Sequence, residues 1–181
     1  PAGHLAIGFN RLNCLAACLA ALACGAGEGA MEKALAAYQV LGHRLALVGE
    51  KGGVRYYDDS KGTNVGAAAA ALQAVEGPVV LLLGGRDKDG RFADLGPLLR
   101  ERAALVICFG EAGPKIQAQI EAFAPNLTVA DLADAVREAA QVAEPGQTVL
   151  LSPGCASFDA YTGYAQRGEH FQELVREVIH G

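Results

Sequence analysis

Val79-Val80-Leu81-Leu82-Leu83-Gly84-Gly85-Arg86-Asp87-Lys88 is the segment that decides the fold. An unbroken apolar run of this kind suits a strand covered on both faces. The paired glycines end it in a tight turn, and a charged loop follows at once. A strand buried on both sides needs helices above and below the sheet, and the flanking sequence supplies them.

Upstream, Leu45–Glu50 and Gly53–Tyr57 flank Lys51-Gly52, a hairpin signal. The alanine-rich run Val65–Val75 is helical. Downstream, Phe92–Glu101 reads as helix, Leu105–Phe109 as strand and Gly113–Ala122 as helix. Leu127–Val129 is a short strand, Asp131 caps a helix over Leu132–Ala143, Thr148–Leu151 is a strand, and Tyr164–Ile179 is a final amphipathic helix. This alternation predicts an α/β fold with a doubly wound, mostly parallel, Rossmann-like sheet over residues 42–181. Residues 1–41 differ. Asn10–Cys24 and Gly29–Leu41 read as two alanine-rich helices joined by a glycine turn. Gly25–Ala30 formally matches a dinucleotide loop, but it follows a helix where that loop follows a strand, so it reads as a helix end.

Composition narrows the function. The chain has 181 residues, is 51% hydrophobic and carries a net charge of -5. There is material for a core, and there is no basic surface for nucleic acid or acidic membrane. No apolar run is long enough to span a bilayer. The chain opens at Pro1 without a signal-like basic start, which reads as a fragment or processed form. Five cysteines, Cys14, Cys18, Cys24, Cys108 and Cys155, read as reduced thiols. No histidine stands at zinc spacing beside the first three, so no metal site is expected.

Three polar clusters follow predicted strands: Asp58-Asp59-Ser60-Lys61-Gly62-Thr63-Asn64, Gly84-Gly85-Arg86-Asp87-Lys88-Asp89-Gly90 and Ser152-Pro153-Gly154-Cys155-Ala156-Ser157. Parallel strands deliver all three to one sheet edge, where such folds bind ligands. In the first, Lys61 suits an anion or developing negative charge, and Thr63 or Asn64 can cap the next helix. Lys88 suits a carboxylate, or is a solvated loop charge. Ser157 and nearby amides suit a carboxylate too. Gly85–Gly90 is spaced like a phosphate-binding loop, yet the chain has no Gly-Lys dipeptide. Arg44, at the join of the two parts, either reaches a phosphate or is a surface charge. Asn10 reads as an N-cap, while Asn13 sits inside the helix, where asparagine is a poor former, and suits a ligand contact.

These residues together resemble the Mur ligase family. Phe9-Asn10-Arg11-Leu12-Asn13 and the alanines after it are similar to its H-N-x-x-N-x-x-A-A segment, with Phe9 replacing the histidine. His43-Arg44 resembles its hinge, Asp59–Asn64 its D-S-K-x-T-N, and Gly84–Lys88 its G-G-x-D-K. Ser152–Asp159 with Gln166-Arg167-Gly168 resembles the S-P-x-x-A-S-x-D…R-G signature of members that add D-glutamate. The resemblance implies that 1–41 is the helical end of a central ATP-binding domain and that 42–181 is the amino-acid-binding domain. It implies Asn10, Asn13, Arg44, Asp59 and Lys61 on the nucleotide, with Lys61 also facing an acyl phosphate as the catalytic residue. Thr63, Lys88 and Ser157 would hold D-glutamate carboxylates, with Phe158 and Tyr164 completing that pocket.

The implied reaction is ATP-dependent addition of D-glutamate to UDP-N-acetylmuramoyl-L-alanine in peptidoglycan synthesis, with ATP and Mg2+, in a bacterial cytoplasm. Its partners would be those substrates and the other domains of the same protein. The phosphate loop and metal ligands lie in family regions that this chain does not contain, so the chain alone is expected to be inactive. Two alternatives remain open: a non-catalytic binding module of this type, or an amino-acid ligase resembling folylpolyglutamate synthetase.

Overall fold

The structure, a computed structural model, describes residues 8–38 and 41–181. They fall into two units, divided between Leu41 and Gly42.

The first unit is a pair of contacting helices, α1 (Gly8–Ala23) and α2 (Glu28–Ala37). Gly25 has φ 83°, and the amides of Cys24, Gly25 and Ala26 bond back to carbonyls of the last turn of α1. The Gly25–Ala30 segment therefore begins as a left-handed helix end. Helix α2 stops at Ala37, short of the expected Leu41, because Tyr38 turns to extended backbone (φ -66°, ψ 126°). The leucines expected to serve close packing are not all covered: Leu12, Leu15, Leu19 and Leu22 remain exposed along α1.

The second unit is a six-stranded sheet of β1 (Ala46–Lys51), β2 (Val54–Asp58), β3 (Val79–Gly84), β4 (Ala103–Phe109), β5 (Asn126–Thr128) and β6 (Thr148–Gly154), in the order β1-β2-β6-β3-β4-β5. Strand β1 is antiparallel to β2, and every other neighbouring pair is parallel. Gly52 and Gly53 make the β1–β2 turn with φ of 59° and 78°, the paired positive values of a tight hairpin turn.

Helices cover both faces: α3 (Val65–Ala74), α4 (Gly96–Arg102), α5 (Gly113–Ile120), α6 (Leu132–Val142) and α7 (Tyr164–His180). On one face Val80, Leu82, Ile107, Phe109, Val149 and Leu151 pack with Leu132 and Val136 of α6 and Phe171 and Val175 of α7. Alternate strand residues Leu81, Leu83, Val106, Cys108 and Leu150 are also fully buried. Strand periodicity turns them to the opposite face, under α3, α4 and α5. Each such leucine contributes about 1.5–3 kcal/mol by leaving water, which explains why the uninterrupted run at β3 is needed.

Several element boundaries differ from those the sequence predicts; α1 begins at Gly8, so Asn10 lies within it and is not its N-cap, and β4 begins at Ala103. Phe92–Glu101 is not one helix. A 3₁₀ turn over Phe92–Leu95 precedes α4, whose start is set by Pro97. Strand β5 is shifted one residue toward the N-terminus. Strand β6 continues through Ser152-Pro153 to Gly154 instead of ending at Leu151. Asp131 caps α6 as expected, accepting a 2.9 Å bond from the Asp134 amide.

The arrangement that positions the site is the place of β6. Last in sequence, it inserts between β2 and β3. The loops that leave the C-terminal ends of β2, β6 and β3 thereby become neighbours at a topological switch point.

Candidate functional site

The three loops interlock through their backbones. The Gly154 amide donates to Gly62 O at 2.8 Å, and Arg86 and Ala156 exchange bonds of 2.8 and 3.0 Å. Gly85 is required at this crossing. Its φ is 122°, and a Cβ there would lie 2.3 Å from Ala156 O.

In the β2 loop, Asn64 is the N-cap of α3. Its side-chain oxygen accepts the Ala67 amide at 2.8 Å. Thr63 is thus released from capping. It lines a cavity of about 140 Å³ with Asn64, Val65, Asp87, Lys88, Gly90 and Gly154. Thr63 and Lys88 come from different loops, and the fold brings them to one pocket. Lys88 is exposed, and no hydrogen bond or ion pair among the described residues occupies its ammonium. The adjoining Asp87 shapes the loop. It accepts the Lys88 and Gly90 amides at 2.7 and 2.8 Å and pairs with Lys115. Burial works to raise the Asp87 carboxyl, but those bonds outweigh it and hold the group below its ordinary value.

Lys61 lies beside Tyr164, the first residue of α7. Its ammonium is 3.3 Å from the tyrosine hydroxyl and 4.5 Å from the ring centre. Its own amide is fixed by His43 O at 2.9 Å.

The two acids before it turn inward. Asp58 is fully buried and accepts from Gln172 Nε2 at 2.8 Å and the Ser60 amide at 2.9 Å, with His43 Nδ1 at 2.7 Å. Asp59 is 5% exposed and accepts the Leu45 amide at 3.2 Å and the Ser152 hydroxyl at 2.7 Å. Burial pushes its carboxyl up to about 6, against those two bonds and the nearby Arg44 charge. The structure thus gives Asp59 an internal anchoring role that the sequence reading did not contain. Little of it is left to face a ligand.

Ser157 is 2% exposed, and its hydroxyl takes no hydrogen bond from the described residues. Phe158 is 58% exposed and does not line the Thr63–Lys88 cavity, nor do Ser157 and Tyr164. Cys155 is buried, and burial lifts its thiol to about 12, which disfavours the thiolate form. Asn13 is exposed on α1. Asn10 lies in α1, but its side chain is outside the described residues. Both belong to the first unit.

In the sequence Arg167 stands out only as the middle residue of Gln166-Arg167-Gly168. It is fully buried beneath all three loops. A charged residue in the first turn of an amphipathic helix ordinarily reads as solvated. The signal that could have singled it out is the adjoining Gly168, where a Cβ would lie 2.1 Å from His43 Nδ1. That glycine marks a helix face pressed against the loops.

Among the described residues, no helix is long and apolar enough to cross a membrane, and no group of three or more His, Cys, Asp or Glu side chains is arranged to hold a metal.

Residues 43–155 match the family model described as Mur ligase, glutamate ligase domain. The chain is 44% identical over 92% of its length to UDP-N-acetylmuramoylalanine–D-glutamate ligase of Syntrophus aciditrophicus, and 46% identical over 99% to the enzyme of that name from Rubrobacter xylanophilus. The matches span 37% and 43% of those proteins, so the chain corresponds to about two fifths of each relative. Its fold is also that of part of a pseudomurein peptide ligase type C from Methanothermus fervidus, with a TM-score of 0.69 over 94% of this chain and 36% of the other at 16% identity.

Proposed function

The chain belongs to the Mur ligase family, and on that footing we propose that it is the C-terminal portion of an ATP-dependent ligase that adds D-glutamate to UDP-N-acetylmuramoyl-L-alanine. In this reading residues 1–41 are the end of the ATP-binding domain, residues 42–181 are the amino-acid-binding domain, and the protein works in peptidoglycan precursor synthesis in a bacterial cytoplasm.

One observation supports it most: Thr63 and Lys88 meet at a cavity of about 140 Å³ on the ligand edge of the sheet, two residues beyond Lys61. That volume is well below the ~300 Å³ or more of a site for a drug-sized ligand, and it suits a small metabolite better than a nucleotide. Its walls offer an unpaired ammonium and a hydroxyl, the donors that a dicarboxylic amino acid needs. Ser157, Phe158 and Tyr164 stand outside this cavity, so the carboxylate and apolar contacts that the family resemblance implies for them require a pocket wider than the one these walls enclose.

Nucleotide contacts are assigned by this reading to Lys61 and Arg44 of the second unit and, separately, to Asn10 and Asn13 of the first. Asp59 contributes to a ribose only through the lone pairs that Leu45 and Ser152 leave.

The chemistry is activation followed by attack. The substrate carboxylate displaces ADP from ATP to give an acyl phosphate. The amine of D-glutamate then attacks the acyl carbon, phosphate leaves, and the amine proton is lost. Lys61 holds negative charge on the transferring phosphate and on the acyl phosphate. Thr63 and Lys88 hold the incoming amino acid in line. These are contributions of position and electrostatics, the main terms in such transfers. Magnesium, when bound, would neutralise phosphate charge; no cluster of three or more His, Cys, Asp or Glu among the described residues would hold it. The chain has no Gly-Lys dipeptide to cradle phosphates, so these 181 residues by themselves are expected to be inactive.

The test supplies the protein that contains this chain with ATP, UDP-N-acetylmuramoyl-L-alanine and, separately, D-glutamate, L-glutamate, L-alanine and diaminopimelate. Product mass identifies the amino acid joined. D-Glutamate alone should be ligated. Ligation of another amino acid, or ADP release only with a folate acceptor, would overturn the reading.

A further inference from the structure

Arg167 is 0% exposed, and no carboxylate stands within ion-pair distance of it among the described residues. Burying an unpaired guanidinium is costly, and an apolar side chain of like volume often stabilises a fold equally well or better. Burial lowers its pKa to about 10, so it stays charged at neutral pH. Something other than core filling must account for it.

The hydrogen bonds do so. A guanidinium has five N–H donors in one plane. Nε donates to Ser60 Oγ at 3.0 Å, Nη2 to Ser60 O at 2.9 Å and Cys155 O at 3.1 Å, and Nη1 to Ala156 O at 3.3 Å and Gly84 O at 3.4 Å. Each N–H has its own acceptor. The acceptors lie on all three site loops: after β2, at the end of β3, and after β6. The Ser60 hydroxyl in turn donates to Tyr164 O at 2.8 Å, which closes the circuit onto the first turn of α7. The β3–β6 ladder is irregular here, its register shifting between Leu82 and Gly84, just where the loops begin.

We propose that Arg167 is a positioning residue that sets the mutual register of the three ligand loops, so that Lys61, Thr63 and Lys88 converge on one site. The names of the ligands rest on the ligase reading above. The register role rests on geometry alone. Only the planar five-donor fork reaches every acceptor, so lysine, with three donors on a flexible stem, cannot replace it.

Amide hydrogen exchange on the chain tests this directly. Arg167→Lys keeps the charge and loses the fork. It should speed exchange by at least roughly tenfold at the loop amides Gly154, Arg86, Ala156 and Lys61, as expected for losing one or two charge-assisted bonds, while the β3–β4 amides keep their protection. Ser60→Ala, which leaves the guanidinium in place, should give a smaller change confined to the same loops and serves if the lysine variant does not fold. In the ligase, Arg167→Lys should raise KM for ATP and for the amino acid together. Loop amides that exchange as before, loops and core loosening in step, or unchanged KM values would each overturn the proposal. The exchange pattern found in a protein without ligase activity would retire the ligase reading and leave the positioning role standing.

Discussion

The Lys61 ammonium rests on Tyr164, 4.5 Å from the ring centre and 3.3 Å from the hydroxyl. The two residues lie on different elements, and neither contact is visible from their places in sequence. An ammonium over an aromatic face gains about 0.5–1 kcal/mol where partly exposed. The tyrosine thus restrains the direction of the lysine without neutralising it. Tyr164→Phe should keep the ring contact and lower kcat/KM by a few-fold, roughly the value of one weak bond. Tyr164→Leu should cost more. Lys61→Ala should cost about 10²–10³, as for a group that holds transition-state charge. Steady-state rates on the three variants check the order. A Tyr164→Phe loss as large as that of Lys61→Ala would contradict it.

Asp59 predicts a pH dependence of stability. Its carboxyl is raised to about 6 by burial, against about 3.9 in an unfolded chain. Between these values the folded state binds the extra proton, so stability falls as pH rises. The contribution is fully present below pH ~4 and is lost as pH climbs through about 6, to a total near 3 kcal/mol. Asp59→Asn has no such proton to lose. Urea midpoints from pH 4 to pH 7 should show the parent losing stability relative to Asp59→Asn. Parallel profiles would refute the assignment.

Gly168 and His43 should be coupled. A Cβ at position 168 would lie 2.1 Å from His43 Nδ1, and that ring is held by Asp58 at 2.7 Å. Gly168→Ala should destabilise the fold by about 1–3 kcal/mol, the range for overpacking. In a His43→Ala background the same change should cost much less. A denaturation cycle measures the difference, and simple additivity would show that the contact carries no strain.

The sheet was legible because its signals are local. Val79–Leu83 has the length and continuity of a strand buried twice, and Asn64 and Asp131 stand where caps must. The order of the strands was not legible, since the insertion of β6 between β2 and β3 is fixed by packing and not by any short pattern. The edge clusters singled out Thr63 and Lys88, which the fold brings to one cavity. They did not separate these from Asp58 and Asp59, because a carboxylate buried under a loop and one facing solvent look alike in sequence. Arg167 escaped for a similar reason. Its five acceptors are mostly backbone carbonyls, which leave no mark on residue identity.

The proposed ligase binds its amino acid at the Thr63–Lys88 cavity. The most direct measurement is the pair of KM values, for D-glutamate and for ATP, in the ligase carrying Lys88→Ala. Loss of one charge-assisted bond, about 1.5–3 kcal/mol, should raise KM for D-glutamate by roughly 10–150-fold and leave that for ATP unchanged. An unaltered KM for D-glutamate, or a rise for ATP alone, would contradict it.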